Sequence, residues 1–415
     1  MSDDESLEEG VTNPDTDLVP PLLLEYMPWH KPRKQFVRGK QWIHHSRSRV
    51  EDLQCRGYFQ GNVPLKYLTL PGPDLIDIRL MIDLCAEMGV KLHYTGFCTD
   101  TDNQQIRLRQ NISQFRASNN DVVAPGSDVH KVALQGIVHM GSSAHNELLK
   151  GGPYQIVNID ACTPLLTGDV DATGRLIDAV KFIIEFQVNS EAVPWILLLT
   201  TPLQRENITD GFLDRLNAQI KENYNASEDF AKKLKESFED GEELDAFLAR
   251  MSAEHGCNFL NIATLGISKW LVHLGEAGNC RVKKLNGFCY STFGEHPLLP
   301  NMISVCYLFE KQERALNDRS GITRNIENQI NLPNQDDHIR ALNKSFDMTN
   351  VDQLLKNDHA LYETMIVETM RLLSDIGYDV EQEGKSYREW ISQDITHDFV
   401  HNLGNEISIQ NDGKN

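Results

Sequence analysis

Three carboxylates stand at or just beyond apolar runs that have the look of strands: Asp74 after residues 65–70, Asp100 after 90–97, and Asp160 at the close of 154–160. In a sheet wound with helices, ligands sit in the crevice outside the carboxyl ends of the strands, so an acid there can position or deprotonate an acceptor. Asp160 closes the most convincing of these strands and is the first candidate for that role. Asp74 and its neighbour Asp77 open a helix, where the dipole favours a carboxylate, and Asp74 serves equally well as a helix cap. Cys162, two residues past Asp160, is a nucleophile if a neighbour activates its thiol; no second cysteine motif accompanies it, and a small buried residue is the simpler reading. Ser127 and Asp128 follow the turn Pro125-Gly126. His130, His139 and His145 are spaced by nine and six, which puts them on no common helical face, and no metal site is assigned to them.

A different chemistry is suggested by the one strongly positive stretch. Between positions 31 and 49 there are seven Lys or Arg and no acid, with Trp29, Phe36 and Trp42 close by. Arg33, Lys34, Arg38 and Lys40 are candidates for gripping the phosphates of a nucleic acid while the rings stack on unpaired bases. The alternative is that the rings pack on the sheet and the segment forms an N-terminal lid.

These residues must be held by a framework that the hydrophobic pattern outlines. From residue 65 onward, short apolar runs alternate with amphipathic stretches, the pattern of a parallel sheet covered by helices. Strands are expected at 65–70, 90–97, 121–123, 154–160 and 195–200, with helices at 75–88, 104–115 and 172–186 among them. Gly89 ends the first helix. A charged helical insert at 208–255 is expected to cover one sheet edge. A core helix at 262–274 leads into two apolar runs, 282–290 and 301–309, expected as an antiparallel hairpin. Beyond 311 the composition turns polar, with a linker at 318–344, a helix at 351–376 and a short unit near 387–403. The expected parts are a disordered acidic tail at 1–20, a basic and aromatic segment at 21–60, a sheet domain at 61–310 and a helical extension at 311–415.

Composition narrows the partners. Sixty acidic against forty basic residues give a net charge of −20, which opposes nucleic-acid binding unless the few cations share one face. The eight scattered cysteines lack any CxxC spacing and read as reduced thiols of a cytoplasmic protein. No run of 18 apolar residues occurs and the N-terminus lacks a basic n-region, so neither a membrane span nor secretion is expected.

Over residues 60–310, five strand and helix units closed by a hairpin give an order of elements that resembles the class I S-adenosylmethionine-dependent methyltransferases. The resemblance implies an α/β, Rossmann-like fold: a seven-stranded, mostly parallel sheet in the order 3, 2, 1, 4, 5, 7, 6 with an antiparallel last strand. It implies S-adenosyl-L-methionine as cofactor, its methionine part on the loop Pro71-Gly72-Pro73-Asp74, its ribose on Asp100 and its adenine near Ser127 and Asp128. The acceptor would then face Asn158-Ile159-Asp160-Ala161-Cys162. The pairing of Pro-Gly-Pro-Asp with Asn-Ile-Asp-Ala-Cys is also similar to poorly characterised methyltransferase-like proteins of bacteria, some near defence genes.

Two departures from that pattern matter. The family's Gly-x-Gly is reduced to Gly72 between two prolines, which remove backbone donors. The fourth strand lacks the Asn-Pro-Pro-Tyr with which amino-methylating enzymes hold a flipped base. The expected activity is methyl transfer to a nucleic acid or nucleotide. The competing expectation is a catalytically degenerate module that binds a nucleotide or a protein partner through its acidic surface and C-terminal helices. A nicotinamide dehydrogenase is disfavoured because GxGxxG is absent.

Overall fold

The computed structural model describes residues 25–99, 103–168, 174–190, 193–292, 299–312 and 335–392. The expected acidic tail and Asp100 lie outside the described residues. The alternation of apolar runs becomes one mixed sheet with strands β1 (Leu65–Thr69), β2 (Leu92–Phe97), β3 (Asp128–His130), β4 (Ile156–Asp160), β5 (Trp195–Pro202), β6 (Cys280–Tyr290), β7 (Met302–Lys311) and β8 (Thr349–Asn350). Their order is β3-β2-β1-β4-β5-β7-β6-β8. β7 runs antiparallel to both β5 and β6, and the other pairings are parallel. A seven-stranded sheet undercounts by one, because the two-residue β8 adds to the β6 edge.

The helices are α1 (Pro32–Val37), α2 (His44–Cys55), α3 (Ile76–Met88), α4 (Gln104–Ser118), α5 (Ser143–Gly151), α6 (Leu176–Ser190), α7 (Asp210–Ala226), α8 (Glu228–Lys235), α9 (Leu244–Ala253), α10 (Cys257–Ala277), α11 (Gln335–Phe346), α12 (Val351–Asn357), α13 (His359–Asp375) and α14 (Tyr387–Ser392). A π-helical stretch, Arg38–Ile43, joins α1 to α2. No helix among the described residues is long and apolar enough to cross a membrane.

Side chains alternate across a strand, so β5 feeds two cores at once. Leu197 and Leu199 face a layer built by α6 and α10 with Ile183, Ile184, Ile267 and Leu271. Ile196 and Leu198 face the opposite layer, which contains Ile78 and Ile82 of α3 and Phe36, Val37, Trp42, Val50 and Leu53 of the N-terminal segment. The basic segment is thus part of a core layer. Its register on the sheet is fixed at Gln41, whose amide donates to Asn286 Oδ1 and to the Ser304 carbonyl, each at 3.0 Å. Asn286 follows the irregularity in the β6–β7 ladder after Lys284, where the bend turns its side chain toward the π stretch.

The structure moves several expected boundaries. Residues 121–123 contribute only an isolated bridge between Val123 and Leu92, because the Asn120 side chain accepts the Val122 N–H and the chain turns there. The third strand is instead Asp128–His130, so Asp128 opens it and Ser127 precedes it where both were expected to follow it. The helix expected at 351–376 is two helices, broken at Asp358, whose carboxylate caps α13 by accepting the Leu361 N–H. The charged insert does not cover a sheet edge: Phe230, Leu234, Phe247 and Leu248 pack with Ile262 and Leu265 on the outer side of α10 and with Leu342 of α11.

Candidate functional site

A cavity of about 340 Å³ opens at the carboxyl ends of β1, β2 and β4, within the size range of small-molecule pockets. Its walls are the turn from Leu70 to Asp77, the end of β2 at Phe97 to Thr99, and Asp160 to Thr163 beyond β4. Trp29, Arg38 and Trp42 complete it from the N-terminal segment. The first turn can sit this low because Gly96 lies beneath it: a Cβ there would be 2.9 Å from Val129 Cγ2 and 3.1 Å from Pro71 Cγ. The turn ends at Leu75, a non-glycine residue with φ of +50°, a conformation that carries a cost of order 1 kcal/mol and recurs at ligand sites. Pro71 and Pro73 leave the turn with carbonyls and few N–H groups, which suits a cationic group and not a phosphate.

Asp74 lines this cavity, yet its carboxylate is engaged by the protein itself. Arg109 of α4 donates to both oxygens. His30 Nε2 lies 3.0 Å from Oδ2, and since the Met27 N–H donates to Nδ1, the proton sits on Nε2 and points at Asp74. The Tyr378 hydroxyl is 3.5 Å from each oxygen. Burial pushes the Asp74 carboxyl up, but the His30 and Arg109 hydrogen bonds outweigh it and hold it below the usual carboxylate range. Burial likewise keeps His30 below its ordinary value, hence neutral. Asp74 is therefore a clamp between the N-terminal segment, α4 and the C-terminal extension. A simple cap would have been legible locally; its partners at positions 30, 109 and 378 were not.

Asp160 is also paired. Lys34 Nζ, buried, donates to Oδ1 at 2.5 Å, lies 3.4 Å from the Tyr290 hydroxyl and sits 4.7 Å above the Trp42 ring. Burial opposes the Lys34 charge, and the Asp160 carboxylate overrides it, so the ammonium titrates above its ordinary value. Asp160 Oδ2 accepts no hydrogen bond from a described residue. Beneath it Asp77 accepts from Thr69 and from the Tyr67 hydroxyl, 3.2 Å away. Burial raises the Asp77 carboxyl, and the Asp160 charge adds to this while Thr69 and Arg38 oppose it. Cys162 is exposed and is not the small buried residue of the simpler reading; partial burial of its thiol and the Asp160 charge push it up, which also argues against an activated nucleophile.

The four cations expected to grip phosphates are divided by the structure. Arg33 Nη1 donates to the Ser291 carbonyl at 2.5 Å and its Nε lies 3.2 Å from Asp352. Arg33, Lys34 and Arg38 are buried, and only Lys40 is exposed. They form no open groove: all three are buried, and the acids paired with Lys34 and Arg33 sit on β4 and α12. Arg38 differs from the other two: only 4% exposed, its side chain makes no hydrogen bond or ion pair with any described residue. Asp160 and Asp77 act on it at longer range. Its Nε, together with Trp29 Nε1 and Trp42 Nε1, is a buried donor without a partner, and all three residues line the same cavity. Each such donor costs about 1–3 kcal/mol unless something accepts from it. The cavity thus presents one cation without a direct partner and two indole donors, an arrangement suited to a ligand with an anionic, acceptor-rich group.

Ser127 and Asp128 are off the cavity: Ser127 Oγ donates to the Ala124 carbonyl at 2.8 Å, and Asp128 accepts from Gln114 and from the Val129 N–H. On that side the wall is lined by Leu134 and Gln135, which follow β3. Trp29 and Trp42, expected as core or base-stacking rings, line the cavity as well. The three histidines considered for a metal remain dispersed; elsewhere, His273 and Glu276 of α10 and His338 of α11 bring donor atoms within 4.8 Å of one another. No curated protein matches this sequence. From residue 23 to residue 392, the span that holds the sheet, the clamp and both cavity tryptophans, the chain belongs to the PP_RS20740-like family.

Proposed function

We propose that the cavity binds S-adenosyl-L-methionine and that the protein moves its methyl group to a nucleotide-sized acceptor in the cytoplasm. The observation that carries this reading is the position of the cavity: it lies at the ends of β1, β2 and β4 in a sheet whose order, through β6, is 3-2-1-4-5-7-6 with β7 antiparallel. The unpaired Arg38 is the natural partner of the cofactor's carboxylate, and the donor-poor turn from Pro71 to Pro73 offers carbonyls to its ammonium. The cofactor supplies the activated methyl group. Lys34 occupies Oδ1 of Asp160, and its free Oδ2 orients the acceptor by a hydrogen bond. A nucleotide suits this arrangement better than a strand of nucleic acid, since three of the four candidate phosphate contacts are buried.

A second reading, a methyltransferase-like module that binds a nucleotide or protein partner without chemistry, is favoured by the pairing of Asp74 and Asp160 with internal cations. Calorimetry with S-adenosylmethionine and S-adenosylhomocysteine separates the readings. The first expects binding of both, weakened at least tenfold by Arg38→Gln, and methyl transfer to a nucleotide from a mixed pool. Binding without transfer selects the second reading, and failure of both compounds to bind overturns the first.

A further inference from the structure

A second group of donor atoms lies outside the cavity, where the end of α10 meets α11. His273 and Glu276 are three residues apart and share one face of α10, and His338 of α11 stands against them; one donor atom of each lies within 4.8 Å of the others. Glu276 Oε1 is 3.3 Å from His338 Nε2, and the His273 and His338 rings meet edge to face with centroids 5.6 Å apart. Lys269 Nζ contacts Nδ1 of His338, so Nε2 is the nitrogen left for a ligand. His338 is buried, whereas His273 and Glu276 are partly exposed. The His273 ring makes no hydrogen bond with a described residue, and its nitrogens are available to the same ligand.

We propose that His273, Glu276 and His338 bind one divalent ion of the zinc class and so clip α11 to α10. Two imidazoles and a carboxylate are a donor set that zinc takes, with water in the fourth position, and the partly exposed side of the cluster admits that water. Ligands about 2.0–2.2 Å from a tetrahedral ion stand about 3.3–3.5 Å from one another. Glu276 and His338 already have that separation, and His273 reaches it by turning a side chain that no hydrogen bond restrains. With the ion on Nε2, the His338 ring proton stands on Nδ1 and is donated to Lys269 as a neutral amine, the outer hydrogen bond that orients a metal-bound histidine.

The frame around the cluster is fixed from β6. Arg281 Nε donates to both oxygens of Asp337, at 2.9 and 3.1 Å, which holds the turn of α11 that carries His338. The next strand residue, Val282, packs against Gly275, where a Cβ would overlap Val282 Cγ2, so the last turn of α10 is seated on the same strand. That turn carries no basic residue, and the carbonyl end of the helix favours a cation beside Glu276. None of the three ligands lines the cavity, and the proposal does not depend on what the cavity binds.

The test uses the full chain, stripped by a chelator that is then removed. One equivalent of Co²⁺ is expected to give the intense visible bands of a four- or five-coordinate ion, and Zn²⁺ to bleach them. Glu276→Gln and His273→Ala are each expected to weaken Co²⁺ binding about tenfold or more, while His139→Ala, which removes an exposed histidine elsewhere, leaves it unchanged. Both substituted ligands are partly exposed, and metal-free melting temperatures close to that of the wild type are expected to show that both variants fold. Zn²⁺ is expected to raise the melting temperature of the wild type and to slow its hydrogen exchange over residues 335–346, and to do neither in the two ligand variants. Absence of the visible bands, bands that survive both substitutions, or protection by Zn²⁺ confined to other segments overturns the proposal and leaves a metal-free chain of contacts from Lys269 through His338 to Glu276.

Discussion

Replacing Asp74 with Asn keeps the shape of the clamp and removes its charge. Arg109 is then a buried cation, its side chain 8% exposed, facing a neutral amide. The His30 Nε2 proton meets either an amide donor or an acceptor already shared with Arg109. Breaking a buried ion pair by removing one partner costs about 3–5 kcal/mol, and an unsatisfied donor about 1–3 kcal/mol. The two losses overlap at one site, so about 3–5 kcal/mol is expected for the whole change. Urea unfolding should show this as a lower midpoint at unchanged slope. Arg109→Gln added to Asp74→Asn should recover part of the loss, because no unpaired charge remains. The pH dependence fixes the sign. The Asp74 carboxyl is held below its unfolded value near 3.9, so its contribution is complete above that value and is lost as pH falls through the lower folded one. The gap between wild type and variant must therefore narrow below about pH 4. A single-variant loss under about 1 kcal/mol, or strict additivity in the double variant, refutes the clamp.

Arg38→Gln should raise the urea midpoint of the free protein, since it removes a buried unpaired charge, while abolishing the binding the cavity supports; a stability loss would show that Arg38 is structurally paired. Lys269, buried on α10 beside His338, is pulled down to about 7 by burial against an ordinary 10.5. Between those values the unfolded chain binds the extra proton, so wild-type stability should rise with pH across that window by at most about 5 kcal/mol, and Lys269→Met should lack the slope; parallel stability curves for the two proteins would exclude a neutral Lys269. Arg33→Ala should cost about 1–3 kcal/mol in urea unfolding through Ser291 and Asp352, whereas Lys40→Ala should stay within about 0.5 kcal/mol; a comparable loss from Lys40 would contradict its exposure.

What could be read from the sequence follows the range of the signal. Strand and helix alternation is local, so β1, β2, β4, β5 and the closing hairpin lie where the apolar runs put them, and the loops after β1 and β4 meet at one cavity. The third strand was missed because Val122 and Val123 carry more strand character than Asp128–His130, and a side-chain turn at Asn120 decides between them. The basic segment illustrates the other limit. Its charge is plain in the sequence, but Asp160 and Asp352 lie 126 and more residues away, so nothing local distinguishes a phosphate-binding groove from a core helix with buried counter-charges. The aromatic residues Phe36 and Trp42 interleaved with the cations were the available clue. Arg38 was singled out for its charge and not for its solitude, which only three-dimensional neighbours reveal.

The N-terminal helix also sets the order in which this protein can be made. Arg33 finds its carbonyl 258 residues later, Lys34 its acid 126 residues later, and the His30 carbonyl accepts from Tyr387 357 residues on. Synthesis delivers this helix before its partners, which emerge between 126 and 357 residues later. Until they do, a helix carrying Arg33, Lys34 and Arg38 beside Phe36, Val37 and Trp42 has no sheet to rest on. Contacts of such separation form slowly because the loop between them must close first. The N-terminal wall of the cavity consequently settles only after these distant partners have emerged, and a nascent chain that has not reached residue 387 has an apolar helix for chaperones to hold.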